Sequence, residues 1–274
     1  MRAIDLMDRS AVDDLIRTVR PDAVCHLAAQ SSVNASWQDP LRTLAANAGM
    51  QLHVLEAVCA YASGARVLIV GSCDEYGDVP VHQNPIVESQ PLEPLSPYGL
   101  SKVTQDLMGL QYARTRELDV VRVRPFLQLG PRRTADFATG SFAKQVAEIA
   151  AGRQAPHIVV GSIDLQKDFL DVRDVADAYL RVVESGRTGA VYNIATGVPH
   201  TLRELLRIML HEAGVDAAIS VAPHLIRPRD PALIVGNASL LRKETGWQPA
   251  VSFNQSVIDT LRHWQQFVAT QPPL

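Results

Sequence analysis

The chain has 274 residues, 47% of them hydrophobic and 20% charged, and its 26 basic and 29 acidic side chains leave a formal net charge of −3. That balance describes a folded globular protein with ample chain for a large core, and it excludes disordered, collagen-like and fibrous classes. No apolar run approaches the ~18 residues of a membrane helix, the opening MRAIDLMDRS has no basic-then-apolar leader, and the charge supplies no broad cationic field, so a cytoplasmic protein with neither membrane nor nucleic-acid partners is expected.

In chain order, residues 2–6 read as a strand and 10–19 as a helix, followed by a strand at 23–27, a helix at 41–62 and a strand at 66–70. A proline-rich loop at 79–96 leads into a helix at 97–117, which Ser96 can cap and Pro97 can open, since a missing N–H costs nothing in the first turn. A strand at 120–123, a helix at 172–184 and a strand at 190–194 complete the pattern. Short β-branched runs alternating with helical periods predict an α/β fold, a parallel sheet covered by helices. Beyond about residue 198 the texture changes to helix, loop and helix, which predicts a smaller second lobe. Cys25, Cys59 and Cys73 have no paired spacing and are expected to be reduced, mostly buried thiols, with no metal site.

The sharpest chemical signal is Tyr98-Gly99-Leu100-Ser101-Lys102, a phenol and an ammonium four residues apart on one helix face. A phenol titrating near ~10 is a poor acid or base at neutral pH, and a neighbouring ammonium lowers its pKa. Ser72, just past the C-terminal end of the strand at 66–70, lies where open α/β sheets bind ligands, and its hydroxyl can orient the same substrate oxygen. The glycine-rich strand–turn–helix that opens a dinucleotide-binding sheet occurs nowhere in the 274 residues, and 2–6 matches the third strand of such a sheet. An uncovered edge at 23–27 is therefore expected.

Ser72, Tyr98 and Lys102 resemble the catalytic trio of the extended short-chain dehydrogenase/reductases. The segments HLAAQSSV (26–33), SPYGLSK (96–102), RVRPF (122–126), DFLDVRDV (168–175) and TGWQP (245–249) resemble nucleotide-sugar enzymes, most of all the bacterial GDP-4-keto-6-deoxy-D-mannose reductases, sisters of the GDP-mannose 4,6-dehydratases. The resemblance implies a Rossmann-like parallel sheet, N-terminally truncated, made by 1–128 and 168–197, with a smaller nucleotide-sugar-binding lobe made by 129–167 and 198–274. It implies NADP(H) as cofactor, with NAD(H) the alternative, and reduction of the C4 ketone of a GDP-4-keto-6-deoxyhexose to GDP-D-rhamnose or its C4 epimer.

By the same resemblance, Asp5 and Leu6 approach the adenine, and Leu27, Ala28, Ala29 and Gln30 line the path of the cofactor phosphates and ribose. Lys102 binds a ribose hydroxyl, Asn47 supports Lys102 through water, and Tyr98, Pro125 and Phe126 also bind the cofactor. Ser32, Ser72, Asp74 and Glu75 face the sugar. Lys144, Lys167 and Arg227 meet the diphosphate, with Asp230 near the nucleotide ribose. Leu127 stands where the family has Asn, and Lys167 where it has Arg, which exchanges a bidentate fork for a point charge.

Dehydratases carry Glu at the position of Asp74, so simple carbonyl reduction is preferred over dehydration; a nucleotide-sugar epimerase is a further alternative. A chain lacking the glycine turn could also be a binder of GDP-sugars without turnover. The helices at 41–62 and 97–117 are those the family uses for a homodimer.

Overall fold

The computed structural model describes residues 2–226 and 229–271. In chain order these form α1 (Arg9–Val19), β1 (Ala23–His26), α2 (Val33–Gln38), α3 (Pro40–Tyr61), β2 (Arg66–Val70), α4 (Pro97–Thr115), β3 (Val120–Pro125), β4 (Leu127–Leu129), α5 (Ala138–Ala150), β5 (His157–Val160), β6 (Gln166–Asp171), α6 (Val172–Ser185), β7 (Val191–Ile194), β8 (Pro199–Thr201), α7 (Leu202–Ala213), β9 (Ala218–Val221), β10 (Leu233–Ile234), α8 (Ser239–Thr245) and α9 (Phe253–Thr270).

The central sheet is parallel, in the order β1-β2-β3-β7, with Val67 opposite Val120 and Arg122 opposite Val191. Its alternating side chains separate two cores. Val67, Ile69 and Val120 pack with Val12 and Ile16 of α1 and with Val54, Leu55 and Val58 of α3, whereas Leu68, Val121 and Val123 pack with Val175, Ala178 and Val182 of α6 and with Leu241 and Trp247. A second sheet runs β10-β6-β4, with β8 antiparallel to β6, and β5 pairs with β9 in a third. A third core, with Phe142, Leu205 and Val257, joins α5, α7 and α9.

The helix boundaries follow local chemistry. Ser96 accepts from the Gly99 amide at 3.0 Å with Pro97 in the first turn of α4, and Asp39 caps α3 ahead of Pro40 in the same way. The proline-rich loop is stapled down. Ile86 is fully buried and exchanges backbone hydrogen bonds with Val235 and Asn237.

Residues 2–6 do not form the expected strand. They join no ladder; Asp5 accepts from the Met7 amide to close a turn, and the Leu6 carbonyl meets the His53 ring at 2.9 Å. Among the described residues β1 pairs only with β2, so it forms the expected sheet edge. Cys25 on that strand is exposed, Cys59 half-buried and Cys73 buried, which corrects the expectation of mostly buried thiols.

The segment DFLDVRDV is a set of tethers. Asp168, fully buried, accepts from the amides of Thr196 (3.0 Å), Gly197 (2.9 Å) and Gly236 (3.2 Å) and from the Thr196 hydroxyl (2.6 Å). Asp171 caps α6 and accepts from Ser256 of α9, and Asp174 accepts from the amides of Ala250 and Val251 while its carbonyl takes the indole N–H of buried Trp247.

Candidate active site

The C-terminal ends of β1, β2 and β3 open on one edge, the place where an open parallel sheet binds its ligand. After β2, Ser72 caps a short 3-10 turn, Cys73–Glu75, and its backbone N–H donates to Glu75 at 2.8 Å. Two glycines make this packing possible. A Cβ on Gly71 would occupy the space of the Glu75 carboxylate, and one on Gly99 would stand 2.7 Å from the Asp74 carbonyl, so α4 can lie directly on the turn.

That contact brings Tyr98 and Lys102 of α4 to Ser72. The Ser72 hydroxyl donates to the Asp74 carboxylate at 3.0 Å and lies near enough to the Tyr98 phenol to favour its ionised form. The Lys102 ammonium is buried, donates to the Val70 carbonyl at 2.9 Å and sits 5.9 Å from the centroid of the Tyr98 ring. Burial, then Asp74, push the Tyr98 phenol above its ordinary range, against the lowering effect of Ser72. The expectation that Lys102 would lower it is thus corrected, because withdrawal from water and two facing carboxylates, Asp74 and Glu75, outweigh the ammonium. Burial draws Lys102 down to about 8, opposed by Glu75.

Glu75 faces inward and does not contact the open rim. Fully buried, it accepts from Arg124 at 2.9 Å; Arg124 also donates to Asp106 at 2.8 Å, and Asp106 pairs in turn with Arg122. Burial and the neighbouring Asp106 push Glu75 up to about 8. Arg122 and Arg124 lie on the face of β3 that meets α4, so the cluster stands directly behind the Ser72 turn.

On the cofactor side, Leu27 and Ala28 are exposed, and Ala29, Gln30 and Ser32 are half-buried at the end of β1. Asn47 clamps this segment by accepting from the Gln30 amide at 2.7 Å and donating to its carbonyl at 3.1 Å; its Nδ2 also donates to Ser101 at 2.8 Å. It therefore locks α4 to the loop after β1, next to Lys102 rather than on it. His26, buried with an unpartnered Nε2, is drawn down to about 4 by burial and then by Lys102, a proximity that the sequence did not reveal. Pro125 and Phe126 are buried, and Phe126 belongs to the core beneath Gly236. Leu127 is half-buried at the start of β4.

The expected diphosphate residues are matched within the chain. Lys167 donates to Asp230 at 2.8 Å and to the Pro231 carbonyl at 2.9 Å, and Lys144 stands 3.7 Å from Glu148 on α5. Arg227 lies outside the described residues. Arg133, which the sequence reading passed over, stands in the loop before α5 with its guanidinium 3.5 Å from the Phe137 ring centroid. Its only sequence signal is the second arginine of Pro131-Arg132-Arg133 after β4.

For a nicotinamide dinucleotide the residues fit at the ribose–nicotinamide end, where the trio, the small side chains of Ala28 and Ala29 and the orphan His26 nitrogen converge. The N-terminus of α1, by contrast, is occupied by its own Asp8, which accepts from the Ser10 and Ala11 amides and repels a pyrophosphate. Among the described residues there is no His/Cys/Asp/Glu cluster suited to a metal, and no helix is long and apolar enough to cross a membrane.

A Rossmann-like parallel sheet with Ser72, Tyr98 and Lys102 at its C-terminal edge defines the extended short-chain dehydrogenase/reductase class. The chain belongs to the GDP-mannose 4,6 dehydratase family, whose model matches residues 1–260. It is 36% identical over 264 residues to a GDP-6-deoxy-D-mannose reductase from Pseudomonas aeruginosa, covering 96% of this chain and 86% of that protein. Its fold is similar to the structure of RMD from Pseudomonas aeruginosa complexed with NADPH, with TM-score 0.92, 35% identity and coverage of 97% of this chain and 88% of that one. A Thermus thermophilus UDP-glucose 4-epimerase in complex with NAD is more distant, with TM-score 0.86, 28% identity and coverage of 96% and 83%.

Proposed function

We propose that the protein reduces the C4 ketone of a GDP-linked 4-keto-6-deoxyhexose with NADPH, or with NADH as the alternative. The observation that carries this reading is the convergence of Ser72, Lys102 and a Tyr98 held as phenol, the acid form that a carbonyl reduction consumes. The similarity to the Pseudomonas reductase supports the choice of sugar nucleotide.

When bound, a nicotinamide cofactor would supply the hydride for C4. The Tyr98 hydroxyl holds the proton destined for the ketone oxygen, and Ser72 exchanges its bond to Asp74 for one to that oxygen, aligning it and sharing its developing charge. Lys102, anchored on the Val70 carbonyl, presents its remaining N–H groups to the cofactor ribose. Asn47 holds the Gln30 peptide in place along the cofactor path. Asp5 and Leu6 take the adenine end, Ser32 and Asp74 the sugar, Lys144, Lys167 and Arg227 the diphosphate, and Asp230 the nucleotide ribose. The central sheet with α6 is the cofactor unit, and 129–167 with 198–274 the substrate unit. Trp37, Leu41, Leu52, Leu100 and Leu107 leave an apolar face on and beside α3 and α4, which a second copy covers in a homodimer.

The test is NADPH consumption with the keto sugar nucleotide, followed by product analysis. The parent chain should yield a 6-deoxyhexose, and Tyr98→Phe should lower turnover by about 10²- to 10⁴-fold with GDP affinity unchanged. A parent chain that binds the sugar nucleotide and consumes no NADPH would overturn the proposal.

A further inference from the structure

The cations that the sequence offered for an anionic ligand, where described, are matched by the chain's own carboxylates: Lys167 by Asp230, and Lys144 by Glu148. The buried arginines beside the site are matched too, Arg124 by Glu75 and Asp106, and Arg122 by Asp106. Arg133 differs. Among the described residues no carboxylate pairs with it, and its Nε is buried without a hydrogen-bond partner.

Its position is nevertheless built. Arg132 takes the left-handed conformation (φ +70°) and turns the loop back, while the Arg133 carbonyl accepts from the Trp264 indole at 3.1 Å. A Cβ on Gly140 would stand 2.7 Å from that same carbonyl, so α5 closes tightly on the loop. Stacking on Phe137 fixes the guanidinium plane and leaves its N–H edge free to donate. The guanidinium lies within electrostatic reach of the Tyr98 phenol, which opposes the pull of burial that lowers Arg133 to about 10. A half-buried guanidinium without an acceptor is costly, and a ligand that brings an anion relieves that cost.

We propose that Arg133 binds the sugar-proximal phosphate of the nucleotide diphosphate sugar. This rests on the function proposed above. With the C4 oxygen at Tyr98, the anomeric carbon lies across one pyranose ring, so of the two phosphates the one attached to the sugar is the nearer to a guanidinium within electrostatic reach of Tyr98. The planar fork suits two oxygens of one phosphate, a geometry that Lys167 cannot offer.

The experiment is calorimetric titration of the parent chain, Arg133→Gln and Arg133→Lys with GDP and with GMP, which lacks the sugar-proximal phosphate. Arg133→Gln should weaken GDP roughly 10- to 100-fold, the loss expected of charge-assisted hydrogen bonds, and leave GMP unchanged. Arg133→Lys should recover part of the GDP affinity. Unchanged GDP binding in Arg133→Gln overturns the proposal, and so does an equal loss for GDP and GMP, which would report a structural role. A parent chain that binds neither nucleotide overturns the proposed substrate class as well.

Discussion

Replacing Lys102 by Met should make the protein more stable while abolishing its turnover. The ammonium is 5% exposed, its one hydrogen-bond acceptor is the Val70 carbonyl, and burial draws it from an ordinary 10.5 down to about 8. At about 1.4 kcal/mol for each tenfold change in proton affinity, that gap costs the folded state about 3 kcal/mol wherever Lys102 is charged. The unfolded chain keeps this proton up to 10.5, whereas the folded chain releases it near 8. Between those values the unfolded state therefore binds more protons, stability rises with pH, and the full cost applies below about 8. Methionine fills the same space without charge and forfeits one hydrogen bond of about 1 kcal/mol, for a net gain of about 2 kcal/mol near neutrality. Glu75 keeps Arg124 as its cationic partner at 2.9 Å, so no buried anion is stranded. Urea denaturation of Lys102→Met and the parent across neutral to alkaline pH reads the effect. A variant less stable than its parent near neutrality would refute the reasoning, as would a gain that fails to shrink as pH rises toward 10.5.

Two further expectations concern other buried groups. Asp168→Ala strands three backbone amides and a hydroxyl at the junction of β6, β7 and β10, and should cost about 3–5 kcal/mol in chemical denaturation; a loss below about 1 kcal/mol would contradict the hub role. His26 stays neutral in the fold down to about 4 against an ordinary 6.5, so the stability it contributes is whole above 6.5 and lost as pH falls toward 4. The acid-induced fall in melting temperature should be shallower in His26→Leu, and identical profiles would show that His26 takes up its proton in the fold as readily as in the unfolded chain.

The elements were legible because their signals are local. Ser96-Pro97 opens α4 where capping chemistry places it, β2 occupies Arg66–Val70, and the trio meets because β2 and α4 converge on the Ser72 turn. What escaped the sequence depends on pairing at a distance. Residues 2–6 have strand-like composition but find no neighbour, and a strand is defined by its ladder rather than its side chains. Glu75 was expected at the sugar by family resemblance, yet Arg124, 49 positions away, draws it inward. The Tyr98–Lys102 spacing correctly predicted a shared helix face but not the balance of burial and carboxylates that sets the phenol's acidity. Arg133 had no motif to mark it, since its significance lies in the absence of a partner, which only three-dimensional placement exposes.

The knot at Asp168 also limits how the cleft can adapt. Its single carboxylate holds the turn after β7 and the turn after β10 to the middle strand of the second sheet, with Phe126 packed beneath Gly236 at the same point. A hinge-like rotation of one sheet against the other would have to break the three hydrogen bonds that Thr196 and Gly197, after β7, give to a carboxylate fully removed from water. The framework is thus a fixed jaw, and accommodation of different sugars falls to the loops mounted on it. Exchanging the loop at 130–137 between relatives should therefore retune substrate preference while leaving the spacing of Ser72, Tyr98 and Lys102 unaltered.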